Sequence, residues 1–268
     1  MPLTAEQSAL LAAIEQTLWN DPRIDGLWLS GSLGQGGGDD YSDVDVIARV
    51  GDPPASRIGR EYAERADEIV PVVLVNLLFG DRVLNVVTRT WERFDILFLE
   101  PPELQMYDSA RLTQIFNRGA SGPPMQVRID YQPSPETILK IVNEFLRVLG
   151  LFPVAVGRGE WLLAQAGMEL LRRLTIDLML EENRLSTADR GGALHLNTLL
   201  TTEQRQALEG LPAVTADRDS AFAGNRAVAA LFLPRARRLA AEVGAAWPDA
   251  FEAATRDQLK LRIGFSLP

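Results

Sequence analysis

The segment from Leu27 to Val50, "LWLSGSLGQGGGDDYSDVDVIARV", decides how the chain is read. An apolar run, "LWLS", leads into a glycine-rich loop, and a second apolar run, "VDVIARV", follows the loop. Short apolar runs bounded by glycine and aspartate predict strand, loop, strand. Asp43 and Asp45 stand at the head of the second run. Alternate side chains of a strand share a face, so these carboxylates are expected to project together, roughly 7 Å apart along the chain. Like charges so placed raise each other's proton affinity unless a cation intervenes. A hard divalent ion with oxygen ligands, Mg²⁺ above all, is the simplest compensation. The Gly31-Ser32 turn just ahead offers backbone N–H groups and a hydroxyl where the first strand ends, an arrangement suited to phosphate. Phosphate donors and a metal-holding pair within one loop point to nucleotide chemistry.

A third carboxylate strengthens that reading. In "RFDILFLE", Asp95 interrupts an apolar strand, and a lone aspartate is costly to bury without a partner. Its position makes sense if its strand lies beside that of Asp43 and Asp45, with all three facing one cleft. Three oxygen sources suffice for two metals, one activating an attacking hydroxyl and one gripping a triphosphate. Asp39 and Asp40, beside the flexible glycines, read instead as solvated loop residues.

The totals exclude several classes. With 268 residues, 46% of them apolar and 24% charged, the chain is an ordinary globular one with room for two modest domains. It has no cysteine, so disulfides and thiolate chemistry are excluded. The start, "MPLTAEQSALLAAIEQTLWND", lacks the basic lead of a signal peptide. No apolar run approaches the length of a membrane span. A cytoplasmic protein with no membrane partner is therefore expected. A net charge of −9 disfavours a nucleic-acid track and favours a cationic small molecule. A single histidine, His195, rules out a multi-histidine metal site and reads as structural. The five tryptophans read as core, and "RARR" at 235–238 is too short a basic patch to outweigh the acidic whole.

The grammar of the chain changes once. Residues 4 to 19 show helical spacing with Thr4 as a cap, and Gly26 then breaks the pattern before "LWLS". "PPASRIGREYAERADE" reads as a turn and a charged helix, and Pro71 places the next apolar run at a sheet edge or strand start. "LNVVTRTWERFDILFLE" reads as two strands around a turn near Thr90 to Arg93. After Pro133 the pattern is helical: "SPETILKIVNEFLRVLGLF" starts with Ser134 as cap and Pro135 at the first helical position, and "EWLLAQAGMELLRRLTIDLMLEEN" follows as a long central helix. Further helices are expected around 202–210, 219–243 and 247–260. The fold class expected is α+β, a small mixed β-sheet domain over 1–133 and an α-helical bundle over 134–268.

The loop and strand resemble the signature of the DNA polymerase β-like nucleotidyltransferase superfamily: Gly-Ser, ten intervening residues, Asp-x-Asp on a strand, and a later strand aspartate. The two-part chain resembles the antibiotic nucleotidyltransferases that modify aminoglycosides or lincosamides. That resemblance implies Asp43 and Asp45 as metal ligands, and Asp95 as a further ligand that helps to deprotonate the acceptor. It implies Gly31 and Ser32 as holders of the β,γ-phosphates of ATP or another nucleoside triphosphate. It also implies a helical half that binds the substrate, and a role in antibiotic resistance. Relatives often carry a basic loop residue where this chain has Gln35. In "VGRGEWLL", Arg158 just ahead of the long helix is a candidate replacement for the triphosphate, as is Lys140; Glu160 in the first turn is a candidate contact for a cationic acceptor, or a base. The competing reading of Arg158 and Glu160 is charge matching at a helix start. The expected activity is Mg²⁺-dependent transfer of a nucleoside monophosphate, AMP from ATP, to a hydroxyl of a small molecule such as an aminoglycoside-like antibiotic, with release of pyrophosphate. The alternatives are a protein-modifying or antitoxin-type enzyme and a non-catalytic nucleotide-binding module of the same fold.

Overall fold

A computed structural model of the chain describes residues 3–52, 54–119, 130–190 and 195–267, without the side chains of residues 188 and 189. The chain divides into two compact units, Met1–Ile129 and Asp130–Pro268. The first holds a mixed sheet and the second a helical bundle, the α+β arrangement expected.

In the first unit, α1 (Ala5–Trp19) opens at Thr4, whose hydroxyl accepts from the Gln7 N–H while the Gln7 side chain accepts from the Thr4 N–H. This reciprocal pair satisfies two of the N–H groups that a helix start leaves unbonded. Strand β1 (Ile24–Leu29) follows, then α2 (Gly31–Gly34), β2 (Val44–Val50) and α3 (Ala55–Glu64). Strands β3 (Val72–Leu78), β4 (Val83–Thr88) and β5 (Arg93–Leu99) come next, then α4 (Pro101–Leu104) and β6 (Thr113–Asn117). The sheet order is β3-β4-β5-β2-β1-β6, with β2 and β5 parallel and every other neighbouring pair antiparallel. Strand β3 begins directly after Pro71 and lies at the sheet edge, where proline's missing N–H costs no ladder bond.

Alternation along the strands fixes the two faces. Val44, Val46, Ala48 and Val50 of β2 join Leu84, Val86, Phe94, Ile96 and Phe98 in one core with Ile14 and Leu18 of α1 and Ile58 and Tyr62 of α3. The opposite face carries Asp45, Ile47 and Arg49 of β2. There Ile47 packs with Trp28, Leu99 and Leu104 in a smaller cluster, so α4 covers only part of this face.

Three readings are corrected here. Gly26 lies inside β1 rather than ahead of it, at a shift in register, because a side chain there would run into the ring of Trp28 on the same face. Strand β2 begins at Val44, so Asp43 precedes the strand and only Asp45 is on it. Strand β6 went unread: it completes the sheet against β1, with Phe116 as its buried residue.

Arg49 locks this end of the sheet. Only 1% of its side chain is exposed, and it donates to Asp25 Oδ1 at 2.5 Å and to Asn117 Oδ1 at 2.7 Å, with its guanidinium 5.3 Å from the Trp28 ring. The contacts tie β2 to β1 and β6. Arg49→Met is expected to cost about 3 kcal/mol, because it leaves Asp25 and Asn117 without their buried donor. Urea unfolding of the variant checks this.

In the second unit, α5 (Pro135–Arg158) and α6 (Trp161–Glu182) are followed by the short α7 (Thr187–Arg190) and α8 (Leu196–Leu199), then α9 (Thr202–Glu209), α10 (Arg218–Val243) and α11 (Asp249–Ile263). Ser134 caps α5 by accepting from the Thr137 N–H. Apolar residues of α5, α6, α10 and α11, with Phe265 just beyond α11, form one core, in which Phe145 and Phe232 stack at 3.7 Å and Phe152, Phe222 and Phe265 meet edge to face. Helix α5 continues through the buried Pro153 to Arg158, past the end expected from periodicity. The "RARR" segment is consumed in ion pairs: Arg235 and Arg238 with Glu182, Arg237 with Glu252.

Candidate active site

The glycine loop brings its residues to the start of β2. The Ser30 N–H donates to the Asp45 carbonyl at 2.8 Å, which anchors the end of β1 beside β2. Gly31 then turns with φ +59°, a left-handed value that favours glycine, and its Cα passes directly over the Asp45 carboxylate. A Cβ at position 31 would fall 3.0 Å from Asp45 Cγ and closer still to Oδ2. Ser32 follows in the first turn of α2, where backbone N–H groups have no partner within the helix.

The return limb of the loop is held by α1. Gln7, 6% exposed, donates from Nε2 to the carbonyls of Asp39 at 2.8 Å and Ser42 at 3.0 Å. Asp39, exposed as expected of a solvated loop residue, also accepts from the Tyr41 N–H and the Ser42 hydroxyl, each at 3.0 Å, and so shapes the turn. Arg93 donates to the Tyr41 carbonyl at 2.9 Å. These bonds place Asp43 at the mouth of β2. Gln7→Ala is expected to remove about 2 kcal/mol of stability through two orphaned carbonyls and a broken cap. Amide exchange in Asp39–Ser42 should quicken in the same variant, as read by mass spectrometry.

Asp45 and Asp95 are direct partners across the parallel β2–β5 pair, so their side chains emerge side by side on one face, with backbones about 4.8 Å apart. Both are half-buried. Burial, and then the nearby charges of Asp43 and Asp95, push the Asp45 carboxyl up to about 7, with Arg93 opposing. Burial also raises Asp95; the hydrogen bond from Asn85 opposes it, Asp43 adds to the rise and Arg93 counters it. The three carboxylates that the sequence singled out thus act on one another within one unit, beside Gly31 and Ser32.

Among the described residues, no three His, Asp or Glu side chains are gathered tightly enough to form a ready metal cage. The donor chemistry nonetheless fits a hard cation. Two carboxylates in register and a third at the strand mouth leave negative charge that one arginine does not balance, and oxygen is the donor that Mg²⁺ prefers.

Arg158 and Glu160 belong to the second unit. Arg158 lies in the last turn of α5 rather than free ahead of α6, and Glu160 is the residue that precedes α6 rather than a member of its first turn. Both are exposed, as is Lys140 on α5. His195 sits half-buried just before α8. Two tryptophans depart from the core reading. Trp91, 77% exposed, sits at φ +68° on the β4–β5 turn, and Trp19 is 48% exposed against Phe116. Gln7, Asn76 and Asn85 were not singled out from the sequence; a glutamine three residues after the capping Thr4 and asparagines within apolar runs were the available signals.

No protein-family description matches the chain, and no curated protein does. Among solved structures, the chain is similar to an aminoglycoside 6-adenyltransferase from Bacillus subtilis, with a TM-score of 0.46 at 13% identity over 96% of this chain and 98% of that one. So distant a likeness assigns no residue a role. No helix among the described residues is long and apolar enough to cross a membrane.

Proposed function

We propose that the chain is a nucleotidyltransferase that moves a nucleoside monophosphate, AMP from ATP, onto a hydroxyl of a small cationic acceptor. The observation that supports this reading best is the side-by-side placement of Asp45 and Asp95 on parallel strands, under a glycine turn that closes over one of them. Asp43, Asp45 and Asp95 are the residues that would hold Mg²⁺, which when bound supplies positive charge to the phosphates and lowers the cost of ionising the acceptor hydroxyl. The N–H groups of Gly31 and Ser32 and the Ser32 hydroxyl receive the β,γ-phosphates.

Asp95 accepts the proton of the acceptor hydroxyl as its oxygen attacks the α-phosphorus. A new O–Pα bond forms, the bond from Pα to the bridging oxygen of the β-phosphate breaks, and pyrophosphate leaves. The chain forms no covalent link with the substrate in this scheme; its residues orient the reactants and offset charge, which is where most of the rate gain in phosphoryl chemistry arises. The net charge of −9 favours a polyamine-like acceptor such as an aminoglycoside.

The test is incubation with ATP labelled at the α-phosphate, Mg²⁺ and a panel of aminoglycosides, lincosamides, neutral alcohols and proteins. Labelled adduct and pyrophosphate are expected in equal amounts with at least one small acceptor. Adduct on protein alone would move the activity to protein modification. Nucleotide binding without pyrophosphate from any acceptor would overturn catalysis.

A further inference from the structure

Four polar residues form one row across the face that carries Asp45. Asn76 on β3 pairs with Asn85 on β4, Asn85 pairs with Asp95 on β5, and Asp95 pairs with Asp45 on β2. Hydrogen bonds run along the row toward the carboxylates: Asn76 Nδ2 donates to Asn85 Oδ1 at 3.2 Å, and Asn85 Nδ2 donates to Asp95 Oδ1 at 2.7 Å. An ionised carboxylate only accepts, so Asn85 must offer it the amide NH₂. Its carbonyl then faces β3, where Asn76 offers NH₂ in turn, so the row runs in this one direction whenever Asp95 is ionised.

Asparagine is a poor strand residue. On this face Asn85 stands between Val83 and Val87, and Asn76 between Leu74 and Leu78, all apolar. Apolar side chains at both positions would suit the sheet better. Residues that break a local preference in mid-strand are expected where function requires them.

We propose that Asn85, oriented by Asn76, is a positioning residue for Asp95. It occupies Oδ1 so that the carboxylate stays in one rotamer and Oδ2 is left for another partner. A neutral amide is suited to holding Asp95 in this way. Lysine or arginine at position 85 would also hold it, but would cancel the negative charge that draws a cation to the pair. The inference rests on the nucleotidyltransferase reading above and adds to it a second layer of residues behind the carboxylates.

Asn85→Leu keeps the side-chain size and removes the donor. In Mn²⁺ titrations followed by electron paramagnetic resonance, it is expected to weaken binding about tenfold. In the transfer assay, kcat should fall about tenfold while KM for ATP stays within about twofold. Its unfolding midpoint should stay close to that of the wild type, the fit of leucine among its neighbours offsetting the hydrogen bonds lost at Asp95 and Asn76. Asn76→Leu should give a smaller loss of the same kind. In an Asp95→Asn background, Asn85→Leu should make no further difference to Mn²⁺ affinity, because the group it positions is gone.

Mn²⁺ affinity and kcat unchanged in Asn85→Leu, or effects that add fully to those of Asp95→Asn, would overturn the proposal. If Asp45→Asn loses Mn²⁺ while Asn85→Leu keeps it, the positioning role falls and the metal reading stands. If the wild type binds no Mn²⁺, both fall together.

Discussion

Asp45→Asn is expected to lower nucleotidyl transfer by at least about 10³-fold while leaving the protein folded and, at alkaline pH, more stable than the wild type. The large kinetic effect follows from position. Asp45 stands beside Asp95 in register and beneath Gly31, so its charge bears on both the cation and the phosphates of the proposed complex. The gain in stability follows from its proton. In the folded chain Asp45 keeps that proton until about pH 7, whereas the ordinary value for an aspartate is 3.8. Between those values the folded state binds more protons than the unfolded one, so stability falls as pH rises, and the loss is complete above 7. Asparagine carries no charge and escapes this penalty. The variant should exceed the wild type by on the order of 2 kcal/mol at pH 8, once partial exposure is allowed for, and match it near pH 4. Thermal unfolding at the two pH values measures the difference.

Gly31→Ala should also cripple transfer, with the opposite effect on stability. The backbone at Gly31 is left-handed, which costs an alanine about 1–2 kcal/mol. The added methyl would also collide with the Asp45 carboxylate, so either the turn lifts or the carboxylate rotates away. A displacement of about 1 Å at a reacting centre is enough to cost on the order of 10²-fold in rate. Gly31→Ala is therefore expected to lower kcat by at least about 10²-fold and Tm together, where Asp45→Asn lowers kcat and raises Tm. Steady-state kinetics alongside calorimetry separates the two. Loss of activity in Gly31→Ala with no loss of stability would mean that the turn is not closed over Asp45.

Much of the candidate site was legible because its residues break local rules. Glycines crowding a loop and aspartates at a strand head are expensive choices, and they stand out in a single sequence. The helix starts at Thr4 and Ser134 were equally visible, since capping chemistry is local. What stayed hidden depends on register or on distant partners. Asn76 and Asn85 acquire meaning only when β3, β4 and β5 are aligned, and no periodicity reports that alignment. Strand β6 was missed because "TQIFN" offers one buried side chain, and β1 rather than its own pattern makes it a strand. Gly26 read as a break because glycine usually is one, but here it leaves room for Trp28. Helix α5 passes Pro153 because the packing of the bundle outweighs the hydrogen bond that proline lacks.

Every catalytic step proposed above depends on Asp43, Asp45 and Asp95 jointly holding a divalent cation against a nucleoside triphosphate. Anomalous scattering from Mn²⁺ in crystals grown with a non-hydrolysable ATP analogue tests this most directly. The predicted result is a Mn²⁺ peak within bonding distance of Asp45 and at least one of the other two carboxylates, with the triphosphate lying along Gly31 and Ser32. A nucleotide bound elsewhere on the chain, or Mn²⁺ that ignores Asp45 and Asp95, would contradict it.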